Sequence, residues 1–388
     1  MIATILFWLC VAAIFQSYVL FPVLLRIFAI GNRPEPEIPD PEEPPMVSIL
    51  LAAYNEETVI GEKIRSVFHG HYPVSRFEIL VGSDGSTDRT AEIAGKLTLE
   101  FPGLRVFNYT GREGKPNVIN KLAKQATGEI LVFTDANVLF DDQTLTEMVH
   151  PFSDPLIGLV DTRMVNLGLK KEGISFQEKA YISREVGIKD LESRLWGTMM
   201  GPFGGCFAIR KSLFEPVPKN YLVDDFFLNM KVLESGYKAV NNPSACVFED
   251  VSNDLSIEYR RKIRIATGNF QNLSRFWKLL FSGKPGLSFC FWSHKVLRWL
   301  GPLFLLGALF CLVSLSFSGT FYRVLLTAYA AIFLVPVLDL ILKKLNLHFH
   351  FLRFITHFLV MNLAMAIGMI RFVKGVKTNV WQPTKRHQ

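Results

Sequence analysis

Apolar and polar positions in this chain are patterned on two scales. On the short scale, Val47–Ala53, Phe77–Gly82, Leu104–Tyr109 and Glu129–Thr134 are brief apolar runs that read as β-strands. Between them, Glu57–Phe68, Asp88–Leu99 and Asn117–Ala126 fit helices. Strands alternating with helices predict an α/β fold of βαβ units with a mainly parallel sheet. Ligands of such sheets bind at the carboxyl ends of the strands, so function is expected in the residues directly after each one.

On the long scale there are four apolar segments. Met1–Leu25 carries no charge, and Trp299–Tyr322 is charge-free between Arg298 and Arg323. Val324–Leu342 holds only Asp339, and Phe354–Ile370 holds no acid, Lys or Arg, though it includes His357. A membrane-spanning helix needs about 20 apolar residues, so all four are candidates. The first lacks a basic leader and a small-residue cleavage site, and it outruns the apolar core of a secretory signal. It is expected to be an uncleaved anchor, with Pro22 as a point of bending. The Pro/Glu-rich stretch Arg33–Pro45 is an extended linker. "GNFQNLSRFWKLLFSG", from Gly268, mixes basic and aromatic residues as a helix at a membrane surface would. The chain is thus divided into an anchor (1–30), a linker (31–45), a catalytic domain (46–255), interfacial helices (256–298), a transmembrane region of two to three helices (299–374) and a basic tail (375–388).

The 388 residues, 33 of them Phe, have a mean hydropathy of +0.25, which agrees with a membrane protein. The net charge of +7 is uneven. From Ser256 onward there are 18 Lys and Arg against the two acids Glu258 and Asp339. A basic half between apolar helices suits the cytoplasmic membrane face and its anionic lipids, and the hydrophobic surroundings argue against nucleic acid. The five cysteines are scattered without a C-x-x-C pair, so neither a zinc site nor a disulfide framework is indicated, as suits a reducing compartment.

The strand ends carry acids. "AAYNEE" follows the first strand, "GSDGSTD" the second, and "TDAN" the last. Asp135 and Asn137 alone would be ordinary turn residues. Three acidic strand ends on one sheet edge point instead to a divalent cation, because carboxylates repel phosphate unless Mg²⁺ or Mn²⁺ bridges them. No P-loop lysine motif is present.

The stretches "VSILLAAYNEE", "ILVGSDGSTDRT", "GREGKPNVIN", "ILVFTDAN", "GPFGGCFAIRKSLF", "VDDFFLNMKVLESGYK" and "RRKIRIATGNFQNL" occur in the order seen in family 2 glycosyltransferases. The chain resembles the membrane-bound branch that includes cellulose, hyaluronan, chitin and poly-N-acetylglucosamine synthases. The resemblance implies a GT-A domain performing inverting transfer from a nucleotide sugar, usually UDP-linked, to a growing polysaccharide or glycan acceptor at the membrane. It implies that Tyr54 and Glu56 line the base and ribose site, that Asp84 bonds the base, and that Lys115 and Asn120 belong to the nucleotide motif. Asp135 would hold Mg²⁺ or Mn²⁺, with Asn137 in place of the second Asp of D-x-D. Asp225, beside Asp224, falls on the catalytic base. Arg261 and Arg264 match the spacing of Q/R-x-x-R-W, whose Arg contacts the diphosphate.

Other readings stand beside these. Asp224 and Asp225 open a helix and could serve as its N-cap. "RRKIR" could be a solvated or lipid-facing surface. Each glycine of "GPFGG" could be a plain turn. Ile265 occupies the place of the Trp expected to stack on an acceptor sugar, and Val223 replaces a Thr. Both changes count against processive synthesis; the alternative to it is transfer of a single sugar to a lipid-linked acceptor. The expected location is the bacterial inner membrane, with the catalytic domain in the cytoplasm. Three spans would then satisfy the charge rule, whereas a fourth crossing by Phe354–Ile370 would put Lys374 and Lys377 outside. Outside the enzyme class, a transporter with a nucleotide-binding domain or a non-catalytic glycan-binding membrane protein are the competing possibilities.

Overall fold

The computed structural model describes residues 1–31, 43–167, 175–250, 255–345, 347 and 349–379. Most of the expected linker, His348 and the tail beyond residue 379 lie outside the described residues.

The strands are β1 (Val47–Ala53), β2 (Phe77–Asp84), β3 (Leu104–Tyr109), β4 (Ile130–Thr134), β5 (Val138–Phe140), β6 (Ile157–Leu167), β7 (Cys206–Arg210) and β8 (Lys238–Asp250). They form one sheet in the order β3-β2-β1-β4-β7-β6-β8-β5. Every residue of β1, β2 and β4 is buried, as expected for strands covered by helices on both faces. Alternate residues feed two cores. Leu50, Leu80, Leu131 and Phe133 face one side, while Ile49, Leu51, Val81 and Val132 face the other.

The expected parallel sheet is half right. β3, β2, β1 and β4 are all parallel. Beyond them the sheet is mixed: β7 is antiparallel to β4 and β6, β5 is antiparallel to β8, and β6 is parallel to β8. A parallel neighbour needs a long crossover that returns the chain to the starting edge. β7 does not return that way. It leaves the glycine-rich loop at the carboxyl end of β4, where Asp135 N–H donates to the Gly205 carbonyl at 2.9 Å, and runs back along β4. The Phe133 and Phe207 rings stack at 4.8 Å across that pair.

The apolar segments form helices at both ends of the chain. Among the described residues three are long and apolar enough to cross a membrane: Ile2–Ala29, Thr320–Lys344 and Phe351–Val373. The segment expected from Trp299 is broken instead. Pro285–Trp299 and Gly301–Ser316 meet at 63°, with Pro302 just inside the second helix. The first helix is regular except for a π-helical stretch, Gln16–Leu20, directly before Pro22. Pro22 has no N–H for the carbonyl four residues back, and the freed Tyr18 carbonyl accepts a hydrogen bond from Arg184 instead. The surface helix expected from Gly268 ends at Phe276 and tightens into a 3₁₀ turn, Trp277–Phe281, with Trp277 and Phe281 exposed.

The helices at the two ends of the chain pack against one another and against the α/β domain. Phe7, near the start of the first helix, packs with Leu312 and Leu315, near the end of Gly301–Ser316, and Tyr322 joins them. The helix His350–Val373 packs against Leu255–Phe276 and also against Gly301–Ser316 and Thr320–Lys344. Phe358 meets Tyr18, Asn362 lies against Gly301, and Phe372 stacks with Phe270. Asn379, just beyond the helix, is buried against Gly114 of the α/β domain.

Candidate functional site

The loops after β1, β2 and β3 are bound into one another. Asn55 takes the left-handed conformation, φ 53°, which Asn tolerates better than most residues. Its backbone N–H donates to Ser86 Oγ at 3.2 Å, and its side-chain oxygen accepts the Thr87 N–H at 2.9 Å. Glu56 N–H donates to Thr90 Oγ1 at 2.8 Å. The Arg112 guanidinium lies 3.4 Å from the centroid of the Tyr54 ring, closing the third loop over the first.

Asp84 ends β2 fully buried. Its two carboxylate oxygens accept the N–H groups of Glu113 at 2.7 Å and Gly114 at 3.0 Å. In this arrangement Asp84 anchors the loop that presents Lys115. Gly114, at φ 89°, turns that loop into the helix Lys115–Gln125. A lysine at the first position of a helix opposes the macrodipole, so a local carboxylate is needed to hold it there. Lys115 Nζ donates to Asp135 Oδ1 at 2.7 Å and to the Gly204 carbonyl at 3.3 Å. Burial alone would lower its pKa, but Asp135, then Asp224 and Asp225, raise it, so the ammonium is firmly charged.

Asp135 and Asn137 do form a turn, with Val138 N–H donating to the Asp135 carbonyl at 3.3 Å. The turn also aims the side chains. Asn137 Nδ2 donates to Glu249 Oε1 at 2.8 Å, which leaves Oδ1 as the amide's acceptor. Among the described residues no group of three or more His, Cys, Asp or Glu converges as a metal site. The donor set still fits Mg²⁺ or Mn²⁺. Such ions take one or two protein carboxylates and complete their shell with water and substrate phosphates. Asp135, the Asn137 amide oxygen and the adjacent Glu249 are hard oxygen donors of the kind required.

Asp224 and Asp225 open the helix Asp224–Glu234 but do not cap it. Val223 is at the N-cap position, and no side chain makes a capping bond. Asp225 Oδ1 accepts the N–H of Phe226 at 2.8 Å. Burial, reinforced by Asp224, raises the Asp225 pKa to about 6, against the pull of Lys115 and Arg264. Arg264 reaches the same cluster from the helix Leu255–Phe276 and donates to the Leu222 carbonyl at 2.6 Å. Burial, then Arg261, lowers its pKa, while Asp224, Asp225 and Asp135 oppose them. That helix also clamps the approach to Asp224. Gln271 accepts Leu222 N–H at 3.1 Å, Asn272 donates to the Val223 carbonyl at 3.1 Å, and a Cβ on Gly268 would overlap Val223.

Lys115, Asp135, Asp224, Asp225 and Arg264 therefore form one electrostatic cluster, with Tyr54 and Arg112 on its flank. Asn120 is used elsewhere: its amide exchanges two hydrogen bonds with the Val217 backbone, at 2.8 and 2.9 Å. Arg261 is exposed beside Arg264. Four contributors were missed by sequence reasoning. Arg112 lay inside "GREGKPN" without a stated role. Glu249 is distant in sequence and carries no motif. Asp161 is buried, accepts the Phe203 N–H at 2.6 Å and pairs with Lys189, fixing the glycine-rich loop. Gly204 of that loop lies so close to Asp225 that an added Cβ would overlap the carboxylate. Gly204→Ala is expected to displace Asp225 and lower turnover by roughly 10²-fold. Its thermal unfolding should stay near that of the unmodified protein; unchanged turnover would show that the contact is not needed.

The fold is of the GT-A type. Residues 48–217 match the model of glycosyl transferase family 2. It is 25% identical over 252 residues to the β-monoglucosyldiacylglycerol synthase of Nostoc sp. (strain PCC 7120), covering 62% of this chain and 53% of that one. It is 28% identical over 251 residues to the poly-β-1,6-N-acetyl-D-glucosamine synthase of Staphylococcus epidermidis, covering 62% and 59%. The chain thus spans between half and three-fifths of the length of these curated relatives. Its fold is similar to that of the mannosyltransferase PcManGT from Pyrobaculum calidifontis, solved with GDP-mannose and Mn²⁺. That likeness has a TM-score of 0.72 at 23% identity and covers 95% of this chain and 99% of the other, so it extends over the terminal helices.

Proposed function

We propose that this protein is an inverting glycosyltransferase that moves a hexose or N-acetylhexosamine from a UDP-sugar to a glycan or lipid-linked acceptor at the membrane. The observation that carries the reading is the half-buried Asp225, poised against Lys115 and Arg264 beside Asp135. Asp225 takes the proton of the acceptor hydroxyl as its oxygen attacks the anomeric carbon. The bond from that carbon to the diphosphate breaks, and its electron pair leaves with the nucleoside diphosphate. Lys115 and Arg264 face the growing negative charge, and a charge fixed in advance costs no reorganisation in the transition state. Tyr54 and Arg112 offer a stacked surface to the nucleoside. Asp135 and Asn137, with Glu249 behind them, would hold Mg²⁺ or Mn²⁺, which when bound supplies Lewis-acid stabilisation of the leaving diphosphate.

Ile265 favours single transfer as the second reading. It is partly buried against the core, without the aromatic ring that a sugar chain would stack on. A panel of UDP- and GDP-linked sugars, with mass analysis of products, tests donor and chain length together. Transfer is expected to need Mg²⁺ or Mn²⁺ and to fall to background in EDTA. Asp135→Ala should weaken metal-dependent nucleotide binding. Full transfer in EDTA, or no transfer from any sugar in the panel, would reject the proposal.

The protein is further proposed to cross the membrane three times, through Ile2–Ala29, Gly301–Ser316 and Thr320–Lys344. By length, Phe351–Val373 is able to span. The contacts of Phe358, Asn362, Phe372 and Asn379 support a helix lying in the membrane surface on the catalytic side. Lys343, Lys344, Arg353, Lys374 and Lys377 then share the cytoplasmic face, as the charge rule requires. A reporter fused after residue 379 is expected to report the cytoplasm; a periplasmic signal would restore the fourth crossing.

A further inference from the structure

The first helix and the helix Ser175–Trp196 leave a cleft of about 570 Å³ between them. That volume is in the range of small-molecule sites. One wall is apolar, formed by Val19, Pro22 and Val23 of the first helix, with Val19 and Val23 exposed along its mouth. Among the described residues the lining also holds the cations Arg26, Arg184 and Arg194 against the single acid Asp190, beside Ser183, Ile188 and Leu191. Asp190 is already paired with Arg194 at 2.8 Å. Arg184 gives one nitrogen to the Tyr18 carbonyl that Pro22 leaves free. Burial, then repulsion from Arg298 and more weakly from Arg26, lowers the Arg184 pKa, while Glu185 and the Tyr18 hydroxyl act the other way. Glu185 is shared among Arg298, His294 and Lys295, so it does not neutralise Arg26 as well. The guanidiniums stay charged, and the cleft keeps an excess of positive charge that an anion would relieve.

The depth of the cleft adds a second constraint. It opens beside the last turns of a helix able to span a membrane. Phe28, Trp196 and Phe289 cluster there, with Phe28–Trp196 and Trp196–Phe289 both at 6.1 Å, like the aromatic belt at a membrane boundary. A basic pocket beside a membrane helix at this level suits a lipid headgroup. A free inorganic anion would make no use of the apolar wall.

We propose that this cleft holds one anionic phospholipid of the surrounding membrane, its phosphate between Arg26 and Arg184 and its acyl chain along Val19, Pro22 and Val23. The proposal does not depend on the transfer reaction. The full chain is reconstituted in nanodiscs of phosphatidylcholine with a minor fraction of phosphatidylglycerol, released into detergent, and examined by native mass spectrometry. The unmodified protein is expected to retain phosphatidylglycerol in preference to phosphatidylcholine. Arg26→Ala should weaken that retention roughly fivefold. A Cβ at Gly187 meets nothing within 4 Å, so Gly187→Leu fills the cleft without disturbing the helix or any charge. It should lose the lipid almost completely. Equal retention of the two lipids by the unmodified protein, or full retention of phosphatidylglycerol by Gly187→Leu, would overturn the proposal. Displacement of phosphatidylglycerol by excess inorganic phosphate would overturn the assignment of an amphiphile.

Discussion

Asp225→Asn is expected to lower transfer by about 10²–10⁴-fold while nucleotide-sugar binding stays within a few-fold of the unmodified protein. The amide keeps the shape of the carboxylate but cannot accept the acceptor's proton. The pH dependence gives a second test of the same residue. Burial and Asp224 raise its pKa to about 6. Below that pH the group is protonated and cannot act as a base; above it the carboxylate forms. The kcat/KM of the unmodified protein should therefore rise with pH through about 6 and level off. The residual activity of the Asn variant should lack this limb. A variant with normal turnover, or with the limb unchanged, would remove Asp225 from the role of base.

Lys115→Met is expected to lower kcat/KM by roughly 10²–10³-fold, the usual effect of deleting one preorganised charge partner. Lys115 is bonded to Asp135 and felt by Asp224 and Asp225, so its loss leaves three carboxylates with Arg264 as the remaining cation of the cluster. The acid limb of the pH profile should then move upward, because Lys115 lowers the Asp225 pKa in the unmodified protein. A purely structural lysine would change stability and leave the limb in place. An unmoved limb with normal nucleotide affinity would take Lys115 out of the site.

Much of the first half of the domain was legible along the chain. β1 and β3 fall on the expected residues, and β2 and β4 differ from expectation by no more than two residues at one end. β1, β2 and β4 are short, fully buried strands, and β3 is a short, half-exposed edge strand; local apolar runs are enough to mark them. Arg264 was flagged by its spacing, but which partners it meets depends on the packing of its helix against Leu222 and Val223. Asn120 belongs to a recognisable motif, yet its amide is taken by Val217, 97 residues away. The mixed half of the sheet was not legible, because strand direction depends on where a loop returns the chain and not on the composition of the strand.

By itself the sequence determined the alternation of strands and helices, the apolar segments able to enter a membrane, and the acids at the strand ends. Those features are local: hydrophobic periodicity and residue chemistry can be read without knowing any partner. Only the tertiary structure decided that Asp84 anchors a loop, that Glu249 meets Asn137, that Gly204 must be small beside Asp225, and that the last apolar helix packs against Leu255–Phe276. Each of these depends on contacts between residues far apart in the chain, which pattern and spacing do not encode.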